Sequence, residues 1–157
     1  MRLYFVRHTS AANFPANDAQ RALTRQGEDE ARRVGVTLAE MGARPVRIFS
    51  SPLLRAQQTA GIIAQELKFP GAAQTLDELA NGRKTSALLN AVSTGGDEIV
   101  LVGHMPSIAD HVATILHAPD SVSFAFGKGS VACLEMDTSS ANSVKLLWFK
   151  HLQNLQS

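Results

Sequence analysis

Leu3-Tyr4-Phe5-Val6-Arg7-His8-Thr9 decides how this chain is read. Four consecutive apolar residues show no polar alternation, and two residues capable of chemistry follow at once. Such a run reads as a strand buried on both faces, as inside a parallel sheet covered by helices. Two further runs repeat the pattern. Val46-Arg47-Ile48-Phe49 leads into Ser50-Ser51-Pro52, and the apolar run over 98–102 leads into Gly103-His104. Helices are predicted between the strands. Thr24 is the expected N-cap of a helix over 25–41, with Ala31, Val34, Leu38 and Met41 at helical spacing and Gly42 where a C-cap belongs. Ser51-Pro52 reads as an N-cap followed by proline at the first helical position, opening a helix to about Leu67 that Lys68-Phe69-Pro70-Gly71 ends. A short strand over 73–76, a helix over 85–92 and a helix opened by Pro106 and running to about Leu116 follow. The runs 131–136 and 144–149, around a polar turn, predict a hairpin. The alternation as a whole predicts an α/β protein: a three-layer α/β/α arrangement around a mostly parallel central sheet.

The 157 residues suit one domain, 1–157, rather than two. Hydrophobic residues at 45% and charged residues at 18% describe a globular chain and exclude disordered, collagenous and coiled-coil classes. Fifteen basic against fourteen acidic residues leave a formal charge of +1, so no nucleic-acid partner is expected. Apolar runs of about five residues fall far short of a membrane span, and no secretory signal is expected. The single cysteine, Cys133, lies in an apolar run and suits a reducing cytoplasm. It reads as a small core residue rather than a nucleophile.

Each of the three strands ends in polar chemistry. Arg7-His8 follows the first, Ser50-Ser51-Pro52 with Arg55 follows the second, and His104 follows the third. Ligands of open α/β sheets bind beyond the carboxyl ends of the strands. If the strands are parallel neighbours, two imidazoles, two guanidiniums and the start of a helix converge on one rim. That combination of donors points to a phosphoryl group. Any one of these residues alone reads better as an ordinary loop side chain; their shared position argues for a site. The other histidines carry less. His111 and His117 lack the four-residue helical spacing of metal ligands, His117 suits a helix C-terminus, and His151 has no evident partner. Trp148 and Phe149 read as packing residues. Gly127-Lys128-Gly129-Ser130 is a loop without a P-loop pattern.

Four ordered motifs resemble those of the histidine phosphatase superfamily, the phosphoglycerate-mutase-like group. Val6-Arg7-His8-Thr9 is similar to its Arg-His-Gly strand end. Arg21-Ala22-Leu23-Thr24-Arg25-Gln26-Gly27 resembles its R-x-L-T-x-x-G. Residues 50–60, SSPLLRAQQTA, resemble its S-S-P-x-x-R-A-x-Q-T-A, and Val102-Gly103-His104-Met105-Pro106 resembles its second histidine motif. Small size and the Asp18-to-Arg21 spacing most resemble the SixA-type phosphohistidine phosphatases.

The resemblance implies a phosphoglycerate-mutase-like fold and a phosphatase that needs no cofactor and no metal. His8 would be the nucleophile, which requires one ring nitrogen to be neutral and the tautomer to be fixed. Arg7 and Arg55 would hold phosphoryl oxygens, His104 would donate to them, and Arg21 would be an additional phosphate-side arginine. The segment Leu76-Asp77-Glu78-Leu79 supplies Glu78 as candidate general acid, with Asp18 as the alternative; Glu78 also reads as a surface residue of a connecting loop. Thr9 departs from the family's usual glycine. Either the backbone there is ordinary, or the loop is rearranged, or the hydroxyl adds a donor to the pocket.

Only 48 residues lie between Arg55 and His104, leaving no room for the covering insertions of larger family members. An open pocket follows, fit for a phosphohistidine that protrudes from a phosphotransfer-type protein, with phosphate as product. The other readings are a small-molecule phosphomonoesterase acting on small phosphate esters, and a silent phosphate- or phosphoprotein-binding module.

Overall fold

Strand β1, Arg2–Arg7, is one of the two central strands of a six-stranded sheet, fully buried from Leu3 to Val6. The computed structural model describes residues 1–13, 17–93, 97–137 and 143–152. The remaining elements, in chain order, are α1 (Arg25–Glu40), β2 (Arg47–Ser50), α2 (Leu54–Glu66), β3 (Gln74–Thr75), α3 (Thr85–Val92), β4 (Glu98–Gly103), α4 (Ser107–Ile115), β5 (Val131–Met136) and β6 (Val144–Lys150). Short 3-10 turns occupy Asp18–Gln20 and Asp77–Leu79. The sheet order is β3-β2-β4-β1-β5-β6. The β3-β2-β4-β1 ladder is parallel, β5 pairs antiparallel with β1, and β6 pairs antiparallel with β5. The hairpin strands are therefore as expected, while the turn between them, 138–142, lies outside the described residues.

Side chains of β1 alternate between two cores, as the pleat requires. Tyr4 and Val6 join Val34 and Leu38 of α1 and Ala56, Ala60 and Ile63 of α2. Leu3 and Phe5 join Leu88 and Val92 of α3 and Ile108, Val112 and Ile115 of α4. Helices thus cover both faces, and the three-layer arrangement holds. Each fully buried large apolar side chain contributes about 1.5–3 kcal/mol, which is why unbroken apolar strands pay off only when both faces are covered. Cys133 is buried in the first core, and burial pushes its thiol up to about 12. Trp148 packs near Tyr4, and Phe149 meets Phe126 edge-on at 4.8 Å.

Thr24 caps α1 as expected, its hydroxyl accepting from the Gly27 N–H at 3.0 Å, and Gly42 takes φ +82° just beyond the helix. The start of α2 differs from expectation. The helix begins at Leu54, Leu53 stands at the N-cap with no side-chain bond, and Ser51 and Pro52 precede the helix. The Ser51 hydroxyl instead faces another part of the chain. His117 stands at the C-terminal end of α4 as expected: the helix ends at Ile115, Leu116 is its C-cap and His117 follows at φ +56°.

Candidate active site

Strand pairing sets the site. Arg7 of β1 pairs with Gly103 of β4, and Ser50 of β2 pairs with Val102. The three segments that leave these strands therefore begin side by side at the carboxyl edge of the parallel ladder. The His8 N–H donates to the Gly103 carbonyl at 3.0 Å, and the Ser51 N–H to the Val102 carbonyl at 3.0 Å. His8 and His104 consequently stand with ring centroids 5.0 Å apart, both buried.

The His8 ring is held in one tautomer. Its Nδ1–H donates to the Thr9 carbonyl at 2.8 Å, which leaves the Nε2 lone pair free. Burial pushes this imidazole down to about 4, with the positive charges of Arg55, Arg7 and Lys128 acting in the same direction. The ring is thus neutral at pH 7, the state in which an imidazole nitrogen can attack. His104 is pushed down to about 3, chiefly by burial, with His8 and Arg55 adding to the effect. Its Nε2 meets the Ser51 hydroxyl at 2.5 Å, while its buried Nδ1 has no partner among the described residues.

Two guanidiniums flank the rings. Arg7 Nη1 donates to the Phe126 carbonyl at 2.9 Å, and the loop that follows is tied back by the Gly129 N–H, which donates to the Arg7 carbonyl at 3.0 Å. Arg55, in the first turn of α2, is buried. Its Nη1 donates to the Asp18 carbonyl at 2.9 Å and its Nη2 to the Asp18 carboxylate at 3.3 Å. Both Nε atoms are buried without a partner among the described residues. Arg21 joins the same cluster: its Nη1 donates to Asp18 at 3.0 Å and its Nε to the Ala12 carbonyl at 2.7 Å. These two arginines, Arg21 first, hold the Asp18 carboxyl below the usual carboxylate range. Asp18 thus ties Arg21 and Arg55 together through one carboxylate. Sequence reasoning missed this role because a three-residue turn carries no periodic signal.

Thr9 resolves to the first of its three alternatives. Its backbone stands outside the left-handed region, so glycine is not required there. The hydroxyl donates to the Gly27 carbonyl at 2.7 Å and the N–H donates to Thr59 Oγ1 at 3.2 Å. It adds no donor to the pocket. Thr59 in turn bonds the Arg55 carbonyl at 2.7 Å, and Gln58 accepts from the Leu23 N–H at 2.8 Å. The motif of α2 therefore ties the segments that hold His8 and Arg21 onto one helix. Gly27 belongs to the same joint, because a Cβ there would stand 1.9 Å from the Ser10 carbonyl oxygen.

Glu78 lies half-buried in the 3-10 turn after β3, and its carboxylate has no partner among the described residues. That turn runs beside the His104 loop. The Leu79 carbonyl lies against Gly103, Asn81 Nδ2 donates to the Met105 carbonyl at 2.9 Å, and the Gly82 N–H donates to the Ser107 hydroxyl at 2.7 Å. His111 is buried on α4 with Nδ1 2.7 Å from the Thr85 hydroxyl, and His151 Nδ1 stands 3.1 Å from the Ser130 hydroxyl. Among the described residues no three His, Cys, Asp or Glu side chains form a group that could hold a metal ion, and no helix is long and apolar enough to cross a membrane.

Fold and site together describe an α/β protein with a buried histidine pair, and with Arg7 and Arg55, at the carboxyl ends of its parallel strands. Comparison with known proteins agrees. The model of the histidine phosphatase superfamily (branch 1) matches residues 3–84, and the chain belongs to that superfamily. It is 32% identical over 143 residues to the phosphohistidine phosphatase SixA of Escherichia coli K12, covering 88% of each chain. It is 38% identical over 121 residues to an uncharacterized protein of Picosynechococcus, covering 73% of each. Among solved structures, protein histidine phosphatase SixA complexed with tungstate superposes with a TM-score of 0.87 at 27% identity, covering 99% of this chain and all of that one.

Proposed function

We propose that the protein is a phosphatase that works through a phosphorylated His8 and removes phosphoryl groups from phosphohistidine on proteins. The observation that supports this most directly is the His8 Nδ1–H bond to the Thr9 carbonyl, which leaves Nε2 as the nucleophile. In the first step Nε2 attacks phosphorus in line with the scissile P–N bond. That bond breaks, and the substrate imidazole leaves with its electron pair, neutral if its ring was protonated beforehand. In the second step water attacks the phosphoryl group on His8, the N–P bond breaks, and inorganic phosphate departs. Arg7 and Arg55 hold the non-bridging oxygens, Arg21 sits at the outer edge, and Glu78 supplies a proton where a leaving group needs one. Phosphoryl transfer depends mainly on positioning and charge, and a desolvated pair of forked cations provides both.

Two facts favour a protein substrate. Between α2 and β4 the described residues form a two-residue strand, a 3-10 turn and α3, and none of them forms an inserted element over the rim. SixA, with which the chain shares its fold over nearly its whole length, is a protein histidine phosphatase, and its bound tungstate is a tetrahedral oxyanion like phosphate. The silent-module reading drew on Thr9, and with an ordinary backbone at that position its ground is gone.

The test is phosphate release from phosphohistidine-bearing phosphotransfer proteins set against a panel of sugar and nucleotide phosphates. The expected result is turnover of the phosphoprotein and its abolition in a folded His8→Ala variant. Turnover by His8→Ala within a few-fold of the parent would end the covalent mechanism, and exclusive turnover of small esters would end the substrate assignment.

A further inference from the structure

Ser51 has a chemical task that its expected place at a helix start does not explain. It is wholly buried, yet α2 begins three residues later without a side-chain cap. Its hydroxyl has two neighbours. The Leu53 N–H stands 3.3 Å away and can only donate, so it uses a lone pair of the Ser51 oxygen. His104 Nε2 stands 2.5 Å away on another line. The hydroxyl proton is therefore available to His104.

We infer that Ser51 is a positioning residue that fixes the tautomer of His104, donating its hydroxyl proton to Nε2 so that the ring carries its own proton on Nδ1. The two possible tautomers are not equivalent here. With the proton on Nε2, the ring would donate to Ser51 and leave Nδ1 as a buried acceptor with no donor among the described residues. With the proton on Nδ1, the Ser51–His104 bond is kept and the orphaned atom becomes an N–H donor beside the His8 ring, 5.0 Å away between centroids. A buried N–H without a protein partner suits a site that receives a phosphoryl oxygen. His8 and His104 then hold their Nδ1 protons for opposite purposes. Thr9 leaves His8 with a free lone pair for attack, whereas Ser51 leaves His104 with a free donor for the group under attack.

This inference rests on the proposed phosphoryl site, but its first test needs no turnover. Nitrogen-15 NMR of the imidazole rings in the full chain reads the tautomer directly. The expected spectrum has His104 protonated at Nδ1 and not at Nε2, with the Nδ1 signal shifting on addition of tungstate or vanadate. A His104 protonated at Nε2 in the parent overturns the inference even if the protein proves to be an active phosphatase. Ser51→Ala should bring the Nε2-protonated form into the spectrum and weaken oxyanion binding about tenfold. Ser51→Thr, which restores a hydroxyl, should recover the parent tautomer. Should Ser51→Ala keep the parent tautomer and oxyanion affinity, Ser51 has no such role. The parent spectrum decides the matter alone if neither variant folds.

Discussion

Asp18 holds Arg55 by two of its five donors, through the backbone carbonyl at 2.9 Å and the carboxylate at 3.3 Å. The remaining three donors, including the buried Nε–H, stay available to an oxyanion. Because the same carboxylate takes Arg21, one exposed side chain aligns two guanidiniums. Asp18→Ala should therefore weaken vanadate binding several-fold, even though it removes a negative charge from the rim. Inhibition constants measured at two salt concentrations check this. Tighter binding in Asp18→Ala would mean that Asp18 competes with the ligand for Arg55 instead of aligning it. Arg55→Ala should lose far more, since it removes the donors themselves.

A second expectation concerns the joint under His8. The Ser10 carbonyl accepts from the Thr24 N–H at 3.0 Å, and the Ser10 N–H donates to Glu30 at 3.0 Å, so the loop after His8 is pinned on the first turns of α1. Gly27→Ala would place a methyl group 1.9 Å from that carbonyl, and the backbone must move. Overpacking of this kind costs ~1–3 kcal/mol, a fall of at least ~3 °C in Tm for a chain of this size, and turnover should fall with it because the moving loop carries His8. Gly61→Ala is the control. Nothing lies within 4 Å of its Cβ, and a mid-helix alanine gains ~0.5–1 kcal/mol. Equal melting temperatures for the two variants would refute the joint.

Stability should fall as pH drops below about 6.5. Burial pushes His8 down to about 4 and His104 down to about 3 in the folded protein, against an ordinary value of 6.5, and lowers His111 as well. A histidine whose folded value is depressed binds fewer protons folded than unfolded, so stability rises with pH between the two values and is lost as pH falls through 6.5. Each such group adds roughly 1 kcal/mol per pH unit over that span. Urea midpoints measured at pH 7.5, 6.5 and 5 should fall steadily below 6.5. His8→Gln with His104→Gln should flatten most of that slope. A parent midpoint constant from pH 7.5 to 5 would show that the buried rings take up protons as readily in the folded as in the unfolded chain.

The strands, both faces of the sheet and the meeting of Arg7, His8, Arg55 and His104 were legible in the sequence for one reason. Unbroken apolar runs fix where strands end, and parallel pairing then brings the residues after them together. What was not legible depends on partners far along the chain. Ser51-Pro52 has the local chemistry of a helix start, but the Ser51 hydroxyl is engaged by His104, 53 residues away. Thr9 looked like a misfit beside the family's glycine until its hydroxyl met Gly27, 18 residues on. Local rules describe what a residue can bond and are silent on which distant group arrives. Asp18 illustrates the same limit, since only the fold brings Arg55 to it across 37 residues.

Glu78, as the proposed acid, should separate substrates by what their leaving groups require. Its turn is laced to the His104 loop through Asn81 and Gly82, and its carboxylate has no partner among the described residues, so it is placed near the rim without being tied into a structural ion pair. General acid catalysis contributes ~10²–10⁴-fold when a leaving group must be protonated in the transition state. An alkyl phosphate leaves as an alkoxide and has that need. A phosphohistidine ring takes its proton before the P–N bond breaks and leaves neutral without help. Glu78→Gln keeps size and polarity while removing the acid. It should slow hydrolysis of a protein phosphohistidine less than about tenfold and any side activity on alkyl phosphates by ~10²-fold or more. Single-turnover rates on both substrates, which isolate phosphoryl transfer from product release, make the comparison. Equal small losses would remove Glu78 from the mechanism and leave Asp18 or water for the proton. Equal large losses would mean that the phosphohistidine ring also departs with a proton from Glu78, and the two substrates would then share one acid.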